Sequence, residues 1–350
     1  MKKYQRLAQQ IISQIELGVW LPGDKLPSLR EQVASSGMSF MTVGHAYQML
    51  ESQGRIVARP QSGYYVASRP TAQQPAPPAQ VMRDEAVDIN TYIFDVLQAS
   101  RDPSVVPFAS AFPDPRLFPL QQLNRSLANV SKTATAMSVI ENLPPGNVDL
   151  RHAIARRYAQ QGMNISPEEI VITAGALEAL NLSLQAVTEP GDWVIVENPC
   201  FYGALQALER LKLKALSIAT DVREGIDLNA LEQALNEYPV KACWIMTNSQ
   251  NPLGFTLSAE KKAQLVALLT QHNVPLIEDD VYSELYFGRE KPLPAKAWDR
   301  QDMTLHCSSF SKCLVAGFRI GWVAAGKHAR RIQQLQLMST LSTSSPMQLA

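Results

Sequence analysis

Ser308-Ser-Phe-Ser-Lys312 follows an apolar run at 304–308 that reads as a short buried strand, and Arg319 lies seven residues beyond the lysine. A lysine amine can condense with an aldehyde cofactor, and an arginine with neighbouring hydroxyls can neutralise a phosphate. Alone, Lys312 reads as a solvated surface lysine. Its companions upstream change that balance.

Ile172-Thr-Ala-Gly175-Ala176 joins a strand-like run to a helix-like one. The helix start offers unpaired amides and the positive end of a dipole, a seat for phosphate, although such a glycine turn also occurs without any ligand. Ile277-Glu-Asp279-Asp-Val-Tyr282 ends another apolar run in an acid. A buried carboxylate there can keep a pyridine nitrogen protonated; the plain alternative is a cap for the next helix. Asn248-Ser-Gln-Asn251-Pro-Leu-Gly254 presents an amide able to bond a phenolic oxygen, or forms a simple turn. Glu197-Asn-Pro-Cys-Phe201-Tyr-Gly203 can lay an aromatic face on a flat ring, or bury it as ordinary core.

These motifs sit in an alternation. Short apolar runs at 170–173, 193–197, 242–247, 275–279, 304–308 and 320–324 are separated by helical patterns at 177–187, 202–211, 228–236 and 260–272. The pattern predicts an α/β unit with a largely parallel sheet covered on both faces. No internal repeat interrupts it.

The first 68 residues differ. Leu7, Ala8, Ile11, Ile12 and Ile15 mark one face of a helix ending near Gly18, and Ser28-Leu-Arg-Glu31 is a capping box for a second helix. Ser39 caps a third in which Val43, Ala46, Tyr47 and Leu50 recur at helical spacing. Two β-like runs at 55–59 and 64–67 follow, joined by Pro60-Gln-Ser-Gly63. Three helices and a hairpin spell a winged helix-turn-helix, whose third helix would read DNA through Ser39, Thr42 and His45. Arg30 and Arg59 would grip phosphates, and Gly63 would let the wing approach the backbone. A small helical domain that binds a protein or simply caps the body is the alternative. Residues 69–90 begin with a Pro-, Ala- and Gln-rich stretch that reads as a linker, leaving 91–350 as the body.

At 350 residues the chain is long for one core, and with 46% hydrophobic and 18% charged residues it has the composition of a globular protein. Its net charge of +0 hides a basic head: residues 1–70 carry eight Lys/Arg against four Asp/Glu, which suits a phosphate backbone. Four scattered cysteines without His partners at zinc spacing predict reduced thiols, a cytoplasmic setting and no metal site. No signal peptide or membrane span is expected, since no run of about 18 apolar residues occurs.

Gly18-Val-Trp-Leu-Pro-Gly-Asp-Lys-Leu-Pro-Ser-Leu-Arg30, with Thr42-Val-Gly-His-Ala-Tyr47 and Leu50-Glu-Ser-Gln-Gly54, resembles the GntR class of bacterial regulators over residues 1 to about 68. Phe40 stands where that class commonly has arginine, so the operator read is expected to differ. Taken in order, Gly175, Phe201, Asn251, Asp279 with Tyr282, Lys312 and Arg319 resemble the fold-type I aminotransferases from about residue 105 onward. The combination is similar to the MocR subfamily, with Phe108–Pro119 and Pro145–Arg151 resembling its entry segments.

This resemblance implies a winged helix joined to a fold-type I body that holds pyridoxal 5'-phosphate. It implies covalent attachment through Lys312, Asp279 on the ring nitrogen, Asn251 and Tyr282 on the ring hydroxyl, and Phe201 stacked on the ring. Gly175, Ala176, Ser309 and Arg319 would hold the phosphate, the first two by backbone amides. Relatives usually place a tyrosine where Glu141 stands, reaching a partner subunit's phosphate, and a carboxylate there would repel it. They also continue into a C-terminal small domain carrying a substrate-clamping arginine, so the fold is expected to be incomplete at Ala350. The implied function is a homodimeric transcription regulator that binds an operator and responds to an amine, an amino acid or the cofactor. An aminotransferase with an accessory DNA-binding domain, using Lys312, Asp279 and Tyr282 catalytically, is the alternative.

Overall fold

The computed structural model describes residues 2–67, 90–99, 102, 104, 106, 111, 113–133, 135 and 143–350. Two compact units divide the chain, Met1–Ala76 and Pro77–Ala350. Most of the expected linker at 69–90 lies outside the described residues, as do Glu141 and most of 101–112.

In the first unit, helices α1 (Lys3–Glu16), α2 (Leu29–Ser36) and α3 (Phe40–Ser52) precede an antiparallel hairpin of β1 (Ile56–Arg59) and β2 (Gly63–Val66). The Ser28 hydroxyl accepts from the Glu31 amide while the Glu31 carboxylate accepts from the Ser28 amide, so the capping box forms as read. Leu7, Ile11, Val43, Tyr47, Leu50, Ile56 and Val66 close the core. The buried Tyr47 donates to the Pro27 carbonyl at 2.8 Å, and burial pushes its phenol up to about 12.

The second unit contains α4 (Asn90–Ala99), α5 (Leu120–Thr133), α6 (Val148–Gln160), β3 (Ile170–Thr173), α7 (Ala176–Val187), β4 (Trp193–Asn198) and α8 (Tyr202–Arg210). After these come β5 (Lys214–Asp221), β6 (Gly225–Ile226), α9 (Leu228–Glu237), β7 (Val240–Ile245), α10 (Ala259–Gln271) and β8 (Leu276–Asp279). The last elements are β9 (Thr304–Ser309), β10 (Gly321–Ala324), α11 (Ala329–Ser339) and α12 (Ser345–Leu349).

Among the described residues the strands of this unit form one sheet ordered β3-β10-β9-β8-β7-β4-β5-β6. From β9 to β5 neighbouring strands run parallel, as expected of a sheet fed by crossover helices. The sheet is nevertheless mixed. β10 runs antiparallel between β3 and β9, and β6 folds back on β5. Leu180 and Leu184 of α7, Leu208 of α8 and Ile332 of α11 belong to the core on one side. Leu231 of α9 with Leu265 and Leu269 of α10 fill the other. Both faces are therefore buried, which is why the central strands read as unbroken apolar runs.

Candidate functional site

Parallel strands deliver their C-terminal ends to one edge of the sheet, where open α/β folds place ligands. A cavity of about 130 Å³ opens there. Ala176 and Leu177 enter it after β3, Phe201 after β4, Met246 and Asn251 after β7, Asp279 at the end of β8, and Tyr282 just beyond. Ser309 ends β9, and Ser311 and Lys312 follow. Arg319 precedes β10, which runs the other way and so starts at the same edge. Eight of the nine expected cofactor residues line this one space; Gly175 lies beside it.

Gly175 has a role other than the one expected. Its amide donates to the Thr173 carbonyl at 2.8 Å, so it is spent within the turn and is not offered to a phosphate. The residue sits at φ +90°, and an added Cβ would collide with the Arg319 guanidinium. Glycine thus makes room for arginine. The guanidinium donates to the Ser311 hydroxyl and the Ala174 carbonyl, both at 3.2 Å. Arg319 itself stands at φ +52°, a left-handed backbone that costs energy in a non-glycine residue and marks a constrained position. The first-turn amides of α7, at Ala176 and Leu177, have no intrahelical acceptor, and both residues line the cavity. Gly175→Ala is expected to push the guanidinium aside and weaken binding of inorganic phosphate about tenfold or more, measured by calorimetry.

The opposite end is acidic. β8 ends on Glu278 and Asp279, and Asp280 follows, all three buried. Glu278 accepts from the Thr247 hydroxyl and from the Ala295 and Lys296 amides. Asp280 accepts from the Asn248 side-chain amide and bonds His306 Nε2, each at 2.9 Å. Asp279, 1% exposed, keeps Oδ1 without a hydrogen-bond partner among the described residues. Burial, reinforced by the neighbouring Asp280 charge, raises its carboxyl to about 7. A buried acid with an open oxygen is a demand for a donor or a cation.

Lys312 lies between these ends, half-buried, with Nζ donating to the Ala111 carbonyl at 2.7 Å and 5.6 Å from the Tyr282 ring centroid. Burial lowers its ammonium pKa and Arg319 adds to the effect, opposed by Asp279. A lysine so placed is closer to the neutral amine that condenses with carbonyls. The Asn251 amide nitrogen donates to the Tyr282 hydroxyl at 3.5 Å, and burial followed by Asp279 pushes that phenol up to about 12.

Several contributors had no forecast. Ser311 orients Arg319. Behind the cavity, Trp322 Nε1 donates to the Tyr158 hydroxyl at 2.9 Å, Tyr158 bonds His306 Nδ1 at 2.6 Å, and His306 reaches Asp280. Lys262, 2% exposed, donates to Asn248 Oδ1 and the Leu293 carbonyl at 2.6 and 2.7 Å. This buried chain fixes the strand end that aims Asp279. Nothing in a linear reading joins Tyr158 to His306.

In the first unit, Arg30 is exposed in the first turn of α2, and His45 is exposed on α3 with its ring edge-to-face against Tyr4 at 6.0 Å. Arg59 lies 4.2 Å from the Tyr65 ring centroid, beside Gly63 at φ +113°. The Ser39 and Thr42 hydroxyls also serve the start of α3. They bond each other at 2.9 Å, and Ser39 Oγ also accepts from the Thr42 amide to cap α3.

Residues 119–350 match the family of class I and II aminotransferases, and residues 3–66 match the gntR family of bacterial regulatory proteins. Over all 350 residues the chain is 84% identical to the uncharacterized HTH-type transcriptional regulator YdcR of Escherichia coli, covering 75% of that protein. It is 37% identical to the uncharacterized HTH-type regulator YjiR of the same organism, over 96% of this chain and 72% of that one. An archaeal alanine:glyoxylate aminotransferase superposes with TM-score 0.68 at 28% identity, over 77% of this chain and 67% of that chain. Pyrococcus horikoshii kynurenine aminotransferase gives TM-score 0.68 at 27% identity, over 74% and 65%.

Proposed function

The chain belongs to the class I and II aminotransferase family and carries a gntR-family head, and on that premise we propose that it is a transcriptional regulator whose body binds pyridoxal 5'-phosphate. It acts in the cytoplasm as a homodimer that places two heads on paired half-sites, with residues 1–68 as head, 69–90 as linker and 91–350 as body. Its four cysteines are free, which suits a reducing compartment.

The observation that carries the cofactor reading is the middle acid of three. Glu278 and Asp280 are satisfied, while Asp279 keeps an open oxygen on a cavity that also holds Lys312 and Arg319. A flat ring with a protonated nitrogen at one end and a phosphate at the other fits that donor set. Once bound, such a cofactor supplies an electron-withdrawing ring. Asp279 would hold a proton at the ring nitrogen, Phe201 would cover a ring face, and Asn251 with Tyr282 would bond the ring oxygen. Arg319, Ser309, Ser311 and the first amides of α7 would hold the phosphate.

With the cofactor held beside Lys312, an amine or amino acid ligand would shift the protein between two arrangements if it bound them unequally. The alternative of transamination employs the same lysine as acid and base. Steady keto-acid turnover with amino donors would select it. Regulation is tested by retardation of promoter DNA with and without amines. Arg30→Ala is expected to weaken binding across sequences and reduce the slope of log affinity against log salt by about 1. Unchanged affinity and slope would remove Arg30 from the interface.

A further inference from the structure

We propose that the head recognises thymine methyl groups in the major groove through Phe40 and Met41, and that Gly44 serves to let DNA come against the backbone of α3. The proposal rests on the reading of the head as a DNA binder, and it names the base chemistry that this head selects.

In α3, Val43, Ala46, Tyr47 and Leu50 are buried. At 3.6 residues per turn, Met41, His45 and Gln48 fall on the opposite side, with Phe40 and Gly44 along one flank. The polar groups that start this helix are partly engaged, because the Ser39 and Thr42 hydroxyls bond each other at the cap. What stands out from the first turn is apolar. Phe40 is 54% exposed and Met41 is 67% exposed. Neither contributes to the core of the head, and adjacent exposed large apolar side chains mark a contact surface.

The surrounding charge says which partner. The first 70 residues hold twice as many Lys/Arg as Asp/Glu, and Arg30 and Arg59 are exposed. A basic unit with an apolar tip on its third helix is complementary to a groove walled by phosphates, in which the C5-methyl of thymine is the apolar feature of the base edges.

Gly44 carries an independent part of the argument. It is not among the glycines with positive φ, and a Cβ added there would meet nothing within 4 Å. The fold therefore has no need of glycine at this place, and glycine within a helix is destabilising relative to alanine. Its position one turn beyond Phe40 and one turn before Gln48 leaves a bare strip of backbone on the outer flank. Close approach of another molecule is the physical use of such a strip.

The test uses the full chain and a random duplex pool. Bound duplexes are enriched and sequenced, and each thymine of the preferred site is then replaced by deoxyuridine, which removes only the methyl. The parent protein is expected to lose about fourfold in affinity at one or more thymines, and the Phe40→Ala/Met41→Ala variant is expected to be indifferent to the same replacements. Gly44→Ala should exchange α3 amides about fivefold more slowly yet bind the selected duplex at least threefold more weakly. Affinity unchanged by every deoxyuridine, or Gly44→Ala binding as tightly as the parent, overturns the proposal. Failure to enrich any sequence, with no salt-dependent binding, overturns it together with the reading of the head as a DNA binder.

Discussion

Lys312→Ala incubated with pyridoxal 5'-phosphate and reduced with borohydride is expected to carry no covalent label, whereas the parent chain is labelled at that residue to near one equivalent. Peptide mass mapping is the measurement. Lys262 and Lys296 are buried and held by other acceptors, so among these lysines Lys312 is the one that faces the cavity, with an ammonium already disfavoured by burial. Lys312→Arg separates charge from chemistry: it keeps the cation but its guanidinium stays protonated and does not condense with an aldehyde. Both variants retain Arg319, Ser311 and the α7 amides and should still bind the phosphate reversibly, in a salt-sensitive way. A label of parental stoichiometry in either variant would move the attachment point elsewhere and dissolve the role given to this cavity.

The contrast between these lysines marks what a linear reading can reach. Asn251, Asp279, Tyr282, Ser309 and Lys312 were legible because each lies within a few residues of a strand end, and apolar strand runs are the strongest signal in an α/β sequence. The head was legible because caps and hairpin turns are local chemistry, as the Ser28–Glu31 box shows. Pairing across the chain was not. Tyr158 meets His306 from 148 positions away, and no periodicity encodes that. β5 escaped because it lies near the sheet edge and carries small or polar residues between its buried ones, Leu216, Ile218 and Thr220 being buried and Ala215, Ser217 and Ala219 only partly so. The antiparallel β10 was hidden for a different reason: run direction leaves no trace in a buried apolar strand. Gly175 was found for a misleading reason, since its neighbour in space, Arg319, is 144 positions on.

Asp279→Asn should have opposite effects on the empty and the loaded body. In the unfolded chain an aspartate titrates near 3.8, whereas burial beside Asp280 lifts Asp279 to about 7. Between those values the folded state holds a proton that the unfolded state has released, so stability falls as pH rises from about 4 through about 7 and stays reduced above. Glu197, raised to about 8 by burial, adds a penalty of the same sign that extends slightly higher. Asparagine has the same shape and no charge to bury. The variant should therefore match the parent near pH 4 and be more stable at pH 8, by an amount on the order of 1–4 kcal/mol. Denaturant unfolding followed by tryptophan fluorescence reads this difference, since four of the five tryptophans, Trp193, Trp244, Trp298 and Trp322, lie in the second unit. Cofactor reverses the order, because a protonated ring nitrogen beside Asp279 favours the carboxylate and cannot be matched by an amide. Saturating pyridoxal 5'-phosphate should then stabilise the parent more than the variant at pH 8. A parent whose stability is flat from pH 5 to 8, or a variant that gains as much from cofactor as the parent does, would show that the open oxygen of Asp279 is not the feature that receives the ring.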